Sequence, residues 1–231
     1  MKPMSRTDGA PQKVWLTTSD GVKLAGLFFA GPAGGPGALL LHMMPATKES
    51  WSGLAPLLVA AGFSILAIDL RGHGESRWTV DGRRLDHELF EDRDHQAKIR
   101  DVEAAADWLR REGGLGQRPL VVAGASIGAN LSIAYAAGHP EVRAAAALSP
   151  GLDYRGVTTP DKVRLFAPGQ GLFLAASAED ELSFRTDREL AAIRPSAVLK
   201  EYRGAGHGTA MFGPRPELPA ELTVWLAERA R

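Results

Sequence analysis

The sequence predicts an α/β fold in which helices cover both faces of a mostly parallel central sheet of about eight strands. Two observations carry this prediction. Short apolar runs alternate along the 231-residue chain with longer segments of helical periodicity, which is typical of repeated strand–helix units. The first two apolar runs are joined by the turn Asp20-Gly21, which favours an antiparallel hairpin ahead of those units. In such sheets ligands bind beyond the carboxyl ends of the strands, so we expect the functional residues at that edge.

The individual elements follow from the residue pattern of each segment. The runs 37–43 and 63–69 are uninterrupted and apolar, as in central strands covered on both faces. In the segment 95–112, Ile99, Val102 and Leu109 recur at helical spacing, and two arginines close the segment, where they favour the negative end of a helix. The predicted strands are residues 13–19, 24–30, 37–43, 63–69, 119–124, 142–149, 171–177 and 197–203, and the predicted helices are residues 50–61, 95–112, 127–137, 159–166, 184–193 and 216–230.

Composition and charge exclude several classes of function. Lys plus Arg and Asp plus Glu both number 27, and no basic run is longer than a pair, which argues against nucleic acid as a partner. The absence of cysteine excludes disulfides, thiolate catalysis and thiolate metal sites. The N-terminal segment lacks the apolar core of a signal peptide, and the longest apolar stretch, 120–138, is too interrupted for a membrane span. We expect a cytoplasmic protein of one domain, residues 1–231, with residues 1–12 flexible, and the sequence leaves a homodimer open.

One short pattern, "GASIG" at residues 124–128, sets a serine between a buried strand and a helix. The pattern alone also fits a glycine-rich packing turn, but a G-x-S-x-G sequence at a strand-to-helix joint is typical of a serine nucleophile. Side chains at positions 124 and 128 would collide with the neighbouring strand and helix, which explains both glycines. The helix N-terminus also directs free N–H groups toward negative charge. We therefore expect Ser126 to be the nucleophile.

A serine nucleophile needs a base and an orienting acid, which follow it along the chain on this kind of scaffold. Of the two histidines after Ser126, His139 lies at the far end of the helix that the serine begins, whereas His207 lies in a glycine-rich loop after the last strand. We therefore predict His207 as the base. For the acid we favour Asp180, in the loop after strand 171–177; Glu179 and Asp153 are the alternatives, and a solvated acidic turn would be the non-catalytic reading.

These residues resemble the α/β-hydrolase superfamily over nearly the whole chain. Besides "GASIG", the stretches "LLLHMMPATKESW", "AIDLRGHGES" and "GAGHG" match motifs of that family. The resemblance implies an oxyanion hole made by the backbone N–H groups of Met44 and Ile127. It also implies that Asp69 and the residues 71–73 hold the loop after their strand rather than act on substrate. The sequence departs from the family at Met43, where the glycine after the histidine is usual.

The candidate substrate pocket comprises Met43, Trp78 and Met211. Only residues 150–169 separate the strand 142–149 from the next one, where many relatives insert a helical cap, so we expect little or no cap. An open site of that kind suits small or medium acyl groups. We therefore predict a carboxylesterase-type serine hydrolase that uses an acyl-serine intermediate and requires no metal or organic cofactor. Thioesterase, lactonase, peptidase and acyltransferase activities use the same residues, and a catalytically silent binding protein is the alternative from another class.

Overall fold

The computed structural model describes residues 11–231, which form a nine-stranded sheet and a separate two-stranded hairpin, flanked by helices. The strands are β1 (Gln12–Thr17), β2 (Val22–Phe29), β3 (Gly37–Leu41), β4 (Ser64–Ile68), β5 (Trp78–Thr79), β6 (Leu120–Ala125), β7 (Val142–Leu148), β8 (Asp153–Tyr154), β9 (Val157–Thr158), β10 (Gly171–Ser177) and β11 (Val198–Tyr202). The helices are α1 (Ala55–Ala60), α2 (Asp92–Gln96), α3 (Ile99–Arg111), α4 (Ile127–Gly138), α5 (Pro160–Arg164), α6 (Glu181–Ile193) and α7 (Glu217–Arg229). Three 3-10 helices span Lys48–Trp51, His87–Leu89 and Gly208–Phe212.

The sheet has the predicted mixture of strand directions. Its order is β1-β2-β4-β3-β6-β7-β10-β11, with β5 paired to β2 beside this path. β1 pairs antiparallel with β2 through the predicted turn, in which Gly21 has a φ of 81°. β2 is also antiparallel to β4, and the remaining pairs from β4 to β11 are parallel. The α/β prediction of a mostly parallel sheet is confirmed.

Apolar side chains form a separate buried cluster on each face of the sheet. On one face, Val102 of α3, Leu131 of α4 and Leu190 of α6 pack against the strands. On the other face, Leu58 of α1 and Leu222 of α7 do the same. The central strands β3, β4 and β6 are buried along their whole length because helices cover both of their faces. Helices on both faces were also predicted.

Two predicted helices are interrupted. The segment 50–61 contains the end of the 3-10 helix Lys48–Trp51 and then α1, whose first turn holds Pro56. Proline lacks the N–H that a helix interior requires, so it fits only near the start of a new helix. The segment 95–112 is likewise divided into the end of α2 and α3. Conversely, α6 begins at Glu181, three residues earlier than the start predicted at residue 184.

The connection between β7 and β10 contains only the hairpin β8–β9 and the five-residue helix α5. Strands of two residues, such as β5, β8 and β9, were not predicted because they are too short to produce an alternating pattern. At the other end of the chain, residues 1–12 were predicted to be flexible, and residues 1–10 of this segment lie outside the described residues. Its last residue, Gln12, is the first residue of β1. Within residues 11–231, no helix has the length and apolar character needed to cross a bilayer.

Candidate active site

The predicted site residues follow the carboxyl ends of neighbouring parallel strands. In the strand register, Leu41 of β3 lies opposite Gly124 of β6, and Ala125 of β6 lies opposite Leu148 of β7. Leu148 is in turn opposite Ala175 of β10. The loops after β3, β6, β7, β10 and β11 therefore begin at one edge of the sheet. Residues far apart in the sequence meet there, with Ser126 after the central strand.

Ser126 occupies the turn between β6 and α4 in a backbone conformation that residues other than glycine rarely adopt. Its φ is 54° and its ψ is −120°. Its own N–H donates to Leu148 O at 2.9 Å, and its carbonyl accepts from Ala129 N at 2.8 Å, which starts α4. A non-glycine residue in this region costs ~1–3 kcal/mol and persists only where the surroundings enforce it. The turn thus holds a partly exposed hydroxyl at a helix N-terminus, where free N–H groups favour negative charge.

The two glycines of the turn are required by close backbone contacts. A Cβ on Gly124 would lie 1.9 Å from Gly128 O, and a Cβ on Gly128 would lie 2.3 Å from Leu41 O. Both values are far below any real carbon–oxygen contact. The prediction that side chains at positions 124 and 128 would collide with the helix and the neighbouring strand is therefore confirmed. α4 can approach β3 this closely only because residue 128 has no side chain.

The structure brings His207 and Asp180 into direct contact. His207 Nδ1 lies 2.6 Å from Asp180 Oδ2, which makes a charge-assisted hydrogen bond. Burial would raise the pKa of the Asp180 carboxyl, but hydrogen bonds from His207 and Ser183 outweigh burial and lower it. Gly208, the residue after His207, packs against Ala125, since a Cβ on that glycine would be 3.2 Å from the alanine Cβ. The histidine loop is thus packed against the residue that immediately precedes Ser126.

The alternative acids occupy other positions. Glu179 is exposed, and its carboxylate accepts hydrogen bonds from the Ser177 hydroxyl and from Gly204 N, the latter at 2.7 Å. These bonds, the one from Ser177 foremost, lower the pKa of the Glu179 carboxyl. Asp153 is exposed at the start of β8, where its Oδ1 accepts from Gly156 N at 2.6 Å. Glu179 thus connects the loop after β10 to the histidine loop, whereas Asp153 closes the turn of a hairpin.

The loop after β3 orients one peptide N–H away from the buried His42 side chain. His42 is fully buried, its Nε2 accepts from Leu70 N at 2.9 Å, and its Nδ1 is 2.8 Å from Met43 O. Because Nε2 is the acceptor, Nδ1 carries the proton and donates to the Met43 carbonyl. The carbonyl and N–H of one trans peptide point in opposite directions, so the N–H of Met44 points away from His42. Ile127 is the first residue of α4, and its N–H is among those without an intrahelical partner.

The three candidate pocket residues lie in different surroundings. Met43 is half-buried and packs against the cluster that contains α1 and α7, and a Cβ on Gly208 would touch its sulfur at 2.7 Å. Met211 is fully buried in the same cluster, so it belongs to the core beneath the histidine loop. Trp78 is half-exposed in β5, which pairs with the beginning of β2. Of the three pocket candidates, Met43 is therefore the half-buried one that lies against Gly208, next to His207.

The loop after β4 is held by ion pairs. Asp69 accepts from Lys48 Nζ at 2.8 Å, and Arg71 Nε donates to Asp101 at 2.8 Å, with all four groups buried. His73 stacks on His87, with ring centroids 3.8 Å apart. These contacts are internal to the scaffold. No cluster of three or more His, Asp or Glu side chains suited to a metal ion occurs within the described part of the chain.

Three hydroxyl-bearing residues that sequence reasoning missed also surround the site. Ser149, after β7, accepts from Gly208 N at 2.9 Å, and its hydroxyl helps to lower the pKa of the Asp180 carboxyl. Tyr154 of β8 has its hydroxyl 3.0 Å from Ser183 Oγ of α6. A usable signal was present for two of them, because Ser149 is the last residue of a predicted strand and Tyr154 lies in the loop beyond it. Nothing in the sequence indicated Ser183, because serines are common on the exposed faces of helices.

The sheet order and the strained serine after a central strand define the class of protein as an α/β scaffold of the hydrolase type. The chain belongs to the α/β-hydrolase family: a family model of the alpha/beta hydrolase fold matches residues 39–178. The match spans β3 to the end of β10 and so includes the Ser126 turn and the loop after β4. The family assignment made from sequence motifs is confirmed.

Curated relatives match parts of the chain. A bifunctional esterase/perhydrolase of Acinetobacter calcoaceticus is 33% identical over 75 residues, which are 32% of this chain and 26% of that protein. A non-heme haloperoxidase of Rhodococcus erythropolis is 28% identical over 59% of this chain and 43% of its own length. A thiohydrolase of Aspergillus aculeatus is 27% identical over 64% of this chain and 45% of its own. The chain thus spans less than half the length of each of these three relatives.

Solved structures resemble nearly the whole chain. An esterase from Pyrococcus furiosus superposes with a TM-score of 0.75 at 18% identity, covering 96% of this chain and 92% of that one. A dienelactone hydrolase from Anabaena variabilis gives a TM-score of 0.74 at 19% identity, covering 96% and 99%. At these identities the likeness shows the shared fold.

Proposed function

We propose that the protein is a serine hydrolase of the carboxylesterase type, with Ser126 as nucleophile, His207 as general base and Asp180 as the orienting acid. The observation that carries the proposal is the 2.6 Å contact between His207 Nδ1 and Asp180 Oδ2. With Nδ1 bonded to the carboxylate, Nε2 is the nitrogen available to take a proton. The lowered pKa of Asp180 keeps it ionised, so it can stabilise the imidazolium that forms.

In the proposed reaction the Ser126 oxygen attacks the ester carbonyl while its proton passes to His207 Nε2. The carbonyl oxygen becomes an oxyanion, which the N–H groups of Met44 and Ile127 stabilise. The imidazolium then gives the proton to the leaving alcohol, and an acyl-serine remains. Water attacks this ester with His207 again as base, and collapse of the second intermediate returns the proton to Ser126 and releases the acid.

We propose small or medium acyl esters as the substrate class. The connection between β7 and β10 is short, so little chain is available there to enclose a long acyl group. The sequence similarity to an esterase/perhydrolase and the structural similarity to an esterase support an ester as the substrate. A thioester is the second candidate, because one relative is a thiohydrolase. Comparing p-nitrophenyl acetate with phenyl thioacetate at equal concentrations distinguishes the two.

The test is hydrolysis of p-nitrophenyl esters from acetate to decanoate by wild type, Ser126→Ala and His207→Ala. We expect each substitution to reduce kcat by ~10³-fold or more, since removal of the nucleophile or base disables the whole reaction. Rates should fall as the acyl chain lengthens. A wild type no faster than Ser126→Ala would refute the serine mechanism and leave a binding protein.

The neighbouring acids provide a matched pair for the assignment of the orienting residue. Asp180→Asn removes the charge beside His207 and should reduce kcat strongly, by ~10⁴-fold where the corresponding change has been measured in a serine protease. Glu179→Gln keeps most of the shape of a group bonded to Ser177 and Gly204. Its expected effect is less than tenfold. The opposite ranking would make Glu179 the acid.

A further inference from the structure

Lys98 carries a fully buried ammonium that forms no ion pair with any carboxylate in the described part of the chain. The residue lies between α2 and α3. Its Nζ is 3.0 Å from His95 Nδ1, 3.3 Å from His73 Nε2 and 3.4 Å from Met44 Sδ. Burial of a charge without an opposite charge costs free energy, so apolar packing alone does not explain a lysine at this position.

The three contacts match the three N–H groups of an ammonium. A lysine ammonium has three donors and no acceptor, and a methionine sulfur is a weak acceptor. Burial foremost, and then the charge of Lys98, lower the pKa of His95 to about 4 and hold the pKa of His73 far below its usual range. Both rings are therefore neutral at neutral pH and accept through the nitrogen that faces Lys98. A neutral amine would have only two donors for these three acceptors.

The sulfur contact connects Lys98 to the loop after β3. In that loop, His42 Nδ1 donates to Met43 O at 2.8 Å and so holds the carbonyl of the peptide that joins residues 43 and 44. Lys98 holds the Met44 side chain, which lies at the other end of the same peptide. The ring of His73 packs edge-to-face on that of His42, with centroids 4.9 Å apart. The peptide is thus held from both ends.

The same loop lies against the segments that carry the proposed nucleophile and base. A Cβ on Gly128, two residues after the proposed nucleophile, would lie 2.7 Å from His42 O. A Cβ on Gly208, next to the proposed base, would lie 2.7 Å from Met43 Sδ. In the described part of the chain the N–H of Met44 donates to no protein acceptor. This N–H is therefore free to donate to a ligand.

We propose that Lys98 is a positioning residue for the oxyanion hole, whose ammonium holds the Met44 side chain and thereby fixes the Met44 N–H. The inference rests on the proposed function, in which that N–H stabilises the oxyanion. A donor that is held in place before the reaction needs no reorganisation when charge develops on the substrate. Because this interaction acts on the transition state, its loss should reduce kcat and leave KM nearly unchanged.

The position of Lys98 also gives the proposed reaction a dependence on alkaline pH. Burial lowers the pKa of Lys98 to about 8. The charged and titratable groups around the ammonium are Asp101 on α3, which raises that pKa, Arg71 after β4 and Arg155 in the hairpin turn, which lower it, and the neutral His42, His73 and His95. Above this pH the side chain loses its charge and one donor. We therefore expect kcat to decline as the pH rises through about 8.

The test compares wild type, Lys98→Met and Lys200→Met in the hydrolysis of p-nitrophenyl acetate and in inhibition by phenylboronic acid. A boronic acid forms a tetrahedral adduct with an activated serine, so its Ki reports on the oxyanion hole without turnover. Methionine keeps most of the length of lysine and removes its charge and donors. Lys200 is the matched control, because its ammonium is partly exposed on β11 and paired with Glu221 at 2.8 Å.

We expect Lys98→Met to reduce kcat by ~10-fold to 100-fold, which is less than complete loss of an oxyanion donor costs. The Ki of phenylboronic acid should rise by a similar factor, and KM should change by less than about threefold. The decline of kcat above pH 8 should be present in wild type and absent in Lys98→Met. Lys200→Met should leave kcat, KM and Ki unchanged. A decline of the same size in wild type and Lys98→Met would overturn the proposal.

A second variant tests whether Lys98 acts through the sulfur. Met44→Leu removes the acceptor and keeps the backbone N–H, and it should reduce kcat by ~2-fold to 10-fold. Adding Lys98→Met to Met44→Leu should give a rate close to that of Lys98→Met alone, because both changes remove the same contact. Effects that multiply in full would show that Lys98 does not act through Met44, and this would overturn the proposal.

The outcomes separate this inference from the proposed function. If wild type hydrolyses the ester and is inhibited, and Lys98→Met has the same kcat and Ki, the role of Lys98 is refuted and the proposed function stands. If wild type is neither active nor inhibited, the proposed function fails and the inference fails with it. Should Lys98→Met not fold, as judged by circular dichroism, Met44→Leu decides, and an unchanged kcat and Ki in that variant would overturn the proposal.

Discussion

Replacement of Asn130 by alanine should destabilise the protein far more than its size suggests. The substitution removes two donated bonds, to Gly151 O at 2.9 Å and to Val157 O at 2.6 Å, and one bond accepted from Gly151 N at 3.0 Å. The Gly151 carbonyl keeps the Thr159 hydroxyl as a partner and Val157 stays paired with Tyr154 in the hairpin, but Gly151 N–H loses its acceptor. A buried polar group that loses its partner costs ~1–3 kcal/mol. With the small cavity added, we expect the free energy of unfolding to fall by about 3–5 kcal/mol.

Urea denaturation measures this effect, with Ser132→Ala as the control. Ser132 is also fully buried on α4, but its hydroxyl donates at 2.8 Å to the carbonyl of Ala129 in its own helix. Its loss should cost about 1 kcal/mol and leave the hairpin in place. Asn130→Asp should be at least as harmful as the alanine variant, because a carboxylate would face two carbonyl oxygens. Equal midpoints for Asn130→Ala and Ser132→Ala at an unchanged m-value would show that the hairpin is not held by Asn130.

Three further outcomes are expected. Burial, and then two nearby carboxylates, raise the pKa of the Asp187 carboxyl well above its usual range, so the folded state keeps a proton that the unfolded state releases near pH 4. The free energy of unfolding of the wild type should therefore fall with rising pH by up to ~1.4 kcal/mol per pH unit relative to Asp187→Asn. Thermal melts from pH 5 to 8 test this, with Asp107→Asn, at an exposed carboxylate, as the control. Parallel pH dependences of the wild type and Asp187→Asn would contradict the prediction. Gly128→Ala should give little or no folded protein by circular dichroism, because its Cβ would lie 2.3 Å from a backbone oxygen of β3, and a well-folded variant would contradict the close approach. Asp69→Asn leaves the buried Lys48 ammonium paired only with the exposed carboxylates of Glu49 and Glu75 and should lower the free energy of unfolding in urea by about 1–3 kcal/mol, whereas an unchanged stability would contradict this account.

The sheet was readable from the sequence because its strands are strongly apolar and separated by clear turn signals. The runs 37–43, 63–69 and 171–177 each contain one strand of the structure, and the Asp20-Gly21 turn connects β1 to β2 as predicted. Helix boundaries were less readable. The break before Ile99 follows no proline or glycine, and the adjacent Lys98 is fully buried, with its Nζ between His73 Nε2 at 3.3 Å and His95 Nδ1 at 3.0 Å. A lysine in a helical pattern indicates a solvent-facing position, and only the tertiary contacts show otherwise.

The candidate site was predictable where one residue type and its position in the chain restrict the choice. Ser126 and His207 were selected in that way, and the structure positions both at one sheet edge. Nearby hydroxyls could not be placed from the sequence, because Tyr154, for example, is brought to Ser183 only by a hairpin of two-residue strands. Met43 was also ambiguous, since a methionine can fill a core or line a pocket. It is half-buried beside Gly208 and so has features of both.

The bridge made by Glu179 has a consequence for the motions of the two loops it joins. Its carboxylate takes one bond from Ser177 on β10 and one from Gly204 in the histidine loop, and the Ser177 hydroxyl accepts from Ala205 N at 3.0 Å. Local opening of one loop must therefore break the bonds of the other. Backbone amides at positions 204 and 205 should exchange hydrogen with solvent as one cooperative unit with the end of β10. The segment that carries the histidine is thus protected from fraying by an acid that takes no part in the proposed proton transfer.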